Sequence, residues 1–292
     1  MQIQKSFKGQ SAYGKLYLVA TPIGNLEDMT FRAIQTLKEV NWIAAEDTRN
    51  TGLLLKHFDI PTKQISFHEH NAKEKIPDLI DLLKQGQNIA QVSDAGLPSI
   101  SDPGHDLVKA AILEDIAVVT VPGASAGISA LIASGLAPQP HIFYGFLPRK
   151  SGQQKQFFES KKDYPETQIF YESPHRVADT LENMLVVYGD RSVVLVRELT
   201  KIYEEYQRGH ITELLESIAE TPLKGECLLI VEGASQEVEE KDEEDLFLEI
   251  QARLQQGIKK NHAIKEVAKI YQWNKSQLYA AYHEWEENQS DD

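Results

Sequence analysis

The residues best suited to chemistry in this chain lie in three loops of glycine, proline and small polar side chains, at 21–25, 93–104 and 121–127. Each follows a short apolar run. Small side chains let a backbone come close to a ligand, so its amide and carbonyl groups can hydrogen-bond a nucleoside directly. Two common nucleotide devices are missing: no Gly-x-Gly-x-x-Gly follows the first apolar run, and no Gly-x-x-x-x-Gly-Lys-Ser/Thr is present to cradle phosphates. A nucleoside-type ligand without a pyrophosphate is the better fit. His68-Glu69-His70 invites a metal reading, but it lacks the His-Glu-x-x-His spacing that sets two imidazoles on one helical face, so no metal is expected. The stretch Gly123–Gly127 reads as only a loose mimic of a nucleophile elbow, and a hydrolase is not expected.

These loops need a scaffold. Lys15–Ala20 reads as a strand broken by Pro22 and Gly24, Thr30–Val40 as a helix with Phe31, Ile34, Leu37 and Val40 at helical spacing, and Trp42–Ala45 as a second strand. Helices near Thr48–His57 and Ala72–Lys84, with strands at Asn88–Val92 and Ala117–Val121, continue the alternation. That pattern predicts a parallel sheet with all three loops at the carboxyl ends of its strands. Ser101-Asp102-Pro103 reads as a helix start, Gly127–Ala133 as a small-residue helix, and Pro138-Gln139-Pro140 as a linker.

Beyond the linker the alternation restarts, with strands at Gln168–Tyr171, Ser192–Val196 and Glu226–Val231, a helix capped by Ser173-Pro174 and running to Leu185, and another at Ile211–Ile218. An acidic run then reads as a solvated tether. Helices at Leu246–Leu254, Ala263–Tyr271 and Gln277–Trp285 follow, the last pair joined by Gln272-Trp273-Asn274 in the manner of a helix-turn-helix. The expected class is α/β: a tail at 1–13, one lobe at 14–137, a second at 138–235, a tether at 236–245 and a helical extension at 246–288.

Composition limits the function further. No apolar run approaches the roughly 18 residues of a membrane span, and the sole cysteine, Cys227, lies in an apolar strand, so a cytoplasmic protein with no membrane partner is expected. The net charge of −14 argues against a general nucleic-acid coat. Residues 234–292 alone carry fourteen Asp and Glu against seven Lys and Arg. Acids at Glu284, Glu286 and Glu287 disfavour DNA as the partner of the last helices.

Five runs then carry a resemblance: Leu18-Val-Ala-Thr-Pro-Ile-Gly-Asn25, Ala45-Glu-Asp-Thr-Arg49, Ser93–Gly104, Val121-Pro-Gly-Ala-Ser125 and Tyr171-Glu-Ser-Pro-His-Arg176. Together they resemble the rRNA-modifying branch of the tetrapyrrole methylase superfamily over about 14–233. The resemblance implies two α/β lobes with a central cleft, S-adenosylmethionine as methyl donor, and a homodimer. The acceptor it implies is the ribose 2′-hydroxyl of a cytidine in the decoding region of small-subunit ribosomal RNA, free or in the assembled subunit. Carried over, the donor would meet Pro22, Ser93, Asp94, Ala95, Ala124 and Ser125 from the first lobe and Tyr171, Leu199 and Gly225 from the second. Many superfamily members have Gly-Asp-Pro where this chain has Ser93-Asp94-Ala95, which counts against the alternative, methylation of a tetrapyrrole or other small molecule.

Methyl transfer to a hydroxyl gains from a base or from a cation near the developing alkoxide. Candidates are Glu46, Asp47, Arg49, Glu172, His175, Arg176, Arg197, Glu198 and Lys201, with Arg49, Glu172, Arg176 and Arg197 preferred and the three arginines expected on phosphate or ribose. Arg149-Lys150 reads as a basic loop facing RNA.

Overall fold

The computed structural model describes residues 1–6, 12–100, 104–235, 241–271 and 273–290. It divides into two compact units, Met1–Ala234 and Ser235–Asp292. The first begins with β1 (Leu16–Val19), α1 (Phe31–Glu39), β2 (Trp42–Ala45), α2 (Thr48–His57), β3 (Lys63–Ser66), α3 (Ala72–Lys84), β4 (Ile89–Val92), α4 (Gly104–Leu113) and β5 (Val118–Val121). The strands form one sheet in the order β3-β2-β4-β1-β5, with every pairing parallel. Successive strand residues point to opposite faces. Ile43 and Ala45 therefore join Leu37 of α1 and Leu55 of α2, while Ala44 joins Leu79 and Leu83 of α3 and Leu107 of α4. A sheet covered on both faces needs strands apolar throughout, and β4 is buried along its whole length.

Thr30 starts α1, its hydroxyl accepting from the Ala33 N–H at 3.1 Å, a cap worth about 1 kcal/mol. Phe31 follows the apolar spacing yet is 94% exposed, because Ala33 and Leu37 take the core side. The expected helix start at Ser101-Asp102-Pro103 lies outside the described residues.

α5 (Ala126–Ser134) follows β5 in sequence but packs on the second sheet, where Ala130 and Leu131 bury against Ile169, Val194, Leu228 and Ile230. Packing of the second lobe thus begins ahead of position 138. Gly127 permits the approach, since a Cβ there would stand 3.3 Å from the Phe143 ring. The second sheet contains β6 (His141–Phe146), β7 (Thr167–Glu172), β8 (Ser192–Arg197), β9 (Glu205–His210) and β10 (Cys227–Val231), ordered β6-β7-β10-β8-β9. Only β6 and β7 pair in parallel; the other pairings are antiparallel, so a mixed sheet replaces the expected renewal of the parallel alternation. On the face opposite α5, α6 (Ser151–Glu159), α7 (Val177–Tyr188) and α8 (Ile211–Glu220) bury Phe158, Leu181 and Leu214. Ser173-Pro174 does not cap α7. Residues 173–176 form a turn, with the Arg176 N–H donating to the Ser173 carbonyl at 2.9 Å, and Arg176 is the residue that precedes the helix.

The second unit holds α9 (Glu243–Gln255), α10 (Lys260–Ile270) and α11 (Lys275–Ser290) around Phe247, Ile250, Ile264, Val267 and Leu278. Part of the run expected as a tether is the start of α9. The Asp242 carboxylate accepts from the Asp245 N–H at 2.9 Å, and Glu243, Glu244 and Asp245 complement the positive end of the helix dipole. Residues 236–240, and Gln272 of the expected helix-turn-helix, lie outside the described residues. Among the described residues no helix is long and apolar enough to cross a membrane.

Candidate active site

Because β4, β1 and β5 are adjacent and parallel, the loops that follow them emerge side by side. Backbone hydrogen bonds between Thr21 and Gly96, at 2.9 and 3.1 Å, lace the first two together, and the Thr21 hydroxyl donates to the Ser93 carbonyl at 3.1 Å. The second lobe closes over them. Its Tyr171 hydroxyl takes a hydrogen bond from the Gly127 backbone, although burial is the larger influence and pushes the phenol's pKa up. Leu199 is presented by two left-handed neighbours, Glu198 and Thr200, with φ of 51° and 67°. That loop is tied down by the Glu198 carboxylate, which accepts from the Glu226 N–H at 2.9 Å and the Lys201 ammonium at 3.0 Å and sits below the usual carboxylate range in consequence. Gly225 is required there: its φ is 85°, and a Cβ would fall 2.4 Å from the Glu198 carboxylate.

These elements enclose a cavity of about 470 Å³ between the lobes, within the roughly 300–1,000 Å³ of small-molecule sites. A second cavity of about 350 Å³ shares Ser93 with it and is bordered by Thr21, Pro22, Gly24, Asn50, His57 and Asp94, among others.

Of the residues expected at the donor, Ser93, Ala95, Ser125, Tyr171, Leu199 and Gly225 line the larger cavity. Pro22 and Asp94 line the second instead, and Ala124 lines neither. Asp94 is tied to the start of α2: its carboxylate accepts from the Asp47 N–H at 3.2 Å and the Asn50 amide at 3.1 Å, and its own N–H donates to Glu46 at 3.3 Å.

The four preferred catalytic residues are not brought together. Glu172 reaches the larger cavity, but its buried carboxylate accepts from the Ser173 N–H at 2.8 Å and the Thr180 hydroxyl at 2.9 Å, with Arg176 at 3.3 Å. Arg176 donates to the Pro148 carbonyl at 2.8 Å, and Arg197 holds Glu205 through two nitrogens at 2.9 and 2.6 Å. Arg49 is exposed, with a guanidinium nitrogen 2.6 Å from Asp47, and its hydrogen bonds lower the Asp47 carboxyl to about 2. None of these three arginines lines either cavity. Glu46 does line the larger one, as does Ile23 of the first loop, and so do Phe146 and Cys227, which sequence reasoning missed. Asn50 and His57 at the second cavity were missed as well.

Gly123-Ala124-Ser125-Ala126-Gly127 spells Gly-x-Ser-x-Gly in full, which corrects the looser reading above. No histidine lines the Ser125 cavity among the described residues, so the base that a serine nucleophile needs is not supplied there. Nor, among the described residues, do three His, Cys, Asp or Glu side chains group as a metal site would require.

The larger cavity's charged lining is Glu46, Glu172 and Glu226, with no Lys, Arg or His among the described residues. Carboxylates repel phosphate and suit a cation. Of these three, Glu172 is paired with Arg176 and Glu226 with Lys201. It is therefore the lack of cations in the lining among the described residues, with apolar walls and backbone-accessible loops, that suits this two-lobed α/β cleft to a phosphate-free nucleoside, and S-adenosylmethionine fits that description. A family model described as Tetrapyrrole (Corrin/Porphyrin) Methylases matches residues 15–215. The chain belongs to this family and is a methyltransferase that uses S-adenosylmethionine. It is 71% identical over 286 residues to a Streptococcus pyogenes serotype M1 protein named ribosomal RNA small subunit methyltransferase I, covering 97% of this chain and 100% of that one. A protein of the same name from Halalkalibacterium halodurans is 50% identical over 291 residues, covering 97% and 100%. The fold is similar to a crystal structure of uroporphyrin-III C-methyltransferase from Thermus thermophilus complexed with S-adenyl homocysteine, with a TM-score of 0.52, 19% identity, and 75% of this chain and 97% of that one covered.

Proposed function

We propose that this enzyme methylates the ribose 2′-hydroxyl of a cytidine in the decoding region of small-subunit ribosomal RNA, acting in the cytoplasm as a homodimer on the RNA or on the assembled small subunit. The observation that carries this reading is the 71% identity, over nearly the whole chain, to a relative named for small-subunit rRNA methylation. Tetrapyrrole methylation is disfavoured by the site itself. A substrate bearing several carboxylates calls for clustered cations, and among the described residues His57 is the only basic side chain bordering either cavity.

Ser93, Ala95, Ser125, Tyr171, Leu199 and Gly225 would hold the donor, whose sulfonium supplies an electrophilic methyl carbon when bound. The chain's own contribution is chiefly position. Loops fixed by the Thr21–Gly96 and Glu198–Glu226 hydrogen bonds can hold an acceptor oxygen in line, and such alignment is worth about 7–11 kcal/mol. Ile23, Leu97, Phe146 and Leu199 give the cleft apolar walls that exclude water from the reacting atoms. Glu46 borders the donor cavity and accepts from the Asp94 N–H, and Asp94 borders the second cavity. Its position at that junction supports reading the Glu46 carboxylate as the group that takes the proton leaving the hydroxyl.

The test is transfer of radiolabel from S-adenosylmethionine to small subunits that lack the modification, with the labelled nucleotide mapped. Incorporation at a cytidine ribose is expected. Absence of incorporation, while a control methyltransferase labels the same particles, would overturn the reading.

A further inference from the structure

The second cavity adjoins the larger one, and two loops border both. The loop after β1 gives Ile23 to the donor cavity but Pro22 and Gly24 to the second; the loop after β4 gives Ala95 to the first and Asp94 to the second, and Ser93 borders both. A ligand in the recess and one in the larger cavity would therefore rest against the same two loops. Leu26 and Leu53 border it and are substantially exposed, Leu53 at 71%, offering apolar surface of the kind a nucleobase face packs on.

Its polar edge is specific. The two side-chain oxygens of Asp94 have lone pairs beyond those taken by the Asp47 N–H and the Asn50 amide. Asn50 gives one N–H to Asp94 and has a second. Their 3.1 Å hydrogen bond fixes an acceptor beside a donor. We propose that this recess seats the base of the acceptor nucleotide, and that Asp94 and Asn50 select a base carrying an exocyclic amino group next to an unprotonated ring nitrogen. Cytosine and adenine have that edge. Uracil and guanine present a carbonyl oxygen and a ring N–H in the reverse order, which sets acceptor against acceptor and donor against donor. The inference rests on the rRNA reading above and adds the residues that choose the nucleotide.

Unmodified small subunits are prepared in two forms, with the acceptor nucleotide left as cytidine or changed to uridine by rRNA mutagenesis, and kcat/KM is measured on each with wild type, Asp94→Asn and Asn50→Ala. Wild type is expected to favour cytidine by about 5- to 100-fold, the discrimination typical of one paired base edge. Both variants are expected to narrow that ratio to about threefold or less, because Asn at 94 can turn an N–H toward the uracil oxygen and Ala at 50 removes the opposing donor. Asn50 is exposed, so its replacement keeps the test valid if the Asp94 variant folds poorly. Variants that lose rate equally on both substrates, leaving the ratio intact, would overturn the assignment of this recess while the rRNA reading stands. A wild type inactive on both would overturn the rRNA reading and this inference with it.

Discussion

Glu46 is the side chain on which the proposed chemistry turns, since it alone among the early acidic candidates borders the donor cavity and contacts the loop that bounds the second. Glu46→Gln is expected to lower kcat by about 10²–10⁴-fold while leaving the donor Kd within about threefold; titration calorimetry alongside single-turnover rates separates the two. Cys227 makes a second residue-scale case. It lines the same cavity, and burial pushes its thiol up to about 11. At pH 8 the native protein should react with a thiol reagent on the order of a hundredfold more slowly than the unfolded chain, because the thiolate is the reacting form. Thiol-labelling kinetics with and without denaturant check this. Arg49 belongs at the surface: it is exposed beside Asn50, which borders the second cavity, and under the proposed function it would meet a phosphate of the RNA. Arg49→Ala should raise KM for small subunits and reduce the slope of log affinity against log salt by about one. From sequence, the ligand loops were legible because three of them fall at the carboxyl ends of strands in one parallel sheet, where such sheets bind ligands. Which charged groups face inward was not legible, since Arg176 is spent on a carbonyl 28 residues earlier and Arg197 on a carboxylate directly across the β8–β9 pair, a strand pairing the sequence did not announce.

At the scale of elements, the parallel sheet could be read because β1, β2, β4 and β5 are apolar runs separated by helical spacing. The missed strands β3, β6 and β9 are all sheet edges. Edge strands need no continuous apolar run, which hid β3 and β9, the latter reading Glu-Tyr-Gln-Arg-Gly-His. β6 reads His-Ile-Phe-Tyr-Gly-Phe, apolar but interrupted by Gly145 and directly behind the Pro138-Gln139-Pro140 stretch that reads as a linker. Missing β6 concealed Phe146 at its end, and with it one wall of the donor cavity. The connection from β7 to α7 is likewise more than a cap. Arg176, held by Glu172, reaches back to the Pro148 carbonyl, just ahead of the exposed Arg149 and Lys150. It is thus a positioning residue for the basic loop. Arg176→Ala should raise KM for small subunits more than it lowers kcat, and it should cost about 3 kcal/mol or more of stability by leaving the buried Glu172 carboxylate without its cation. Steady-state kinetics and denaturant melts measure both.

At the scale of the whole molecule, a chain of net charge −14 must bind a polyanion through local features rather than its general field. Among the described residues, both cavities are bordered only by the Met1–Ala234 unit. Deleting 235–292 should therefore leave the Kd for S-adenosylmethionine within about twofold, measured by calorimetry, whatever it does to engagement of the subunit. The loops laced by Thr21 and Gly96 form one partition bordering two recesses. If filling one recess shifts that partition, the other must feel it, and thermodynamic linkage makes the effect reciprocal: the factor by which the first ligand changes affinity for the second equals the factor in the opposite order. A partition shared in this way couples the two recesses only to the extent that each ligand prefers one of its positions.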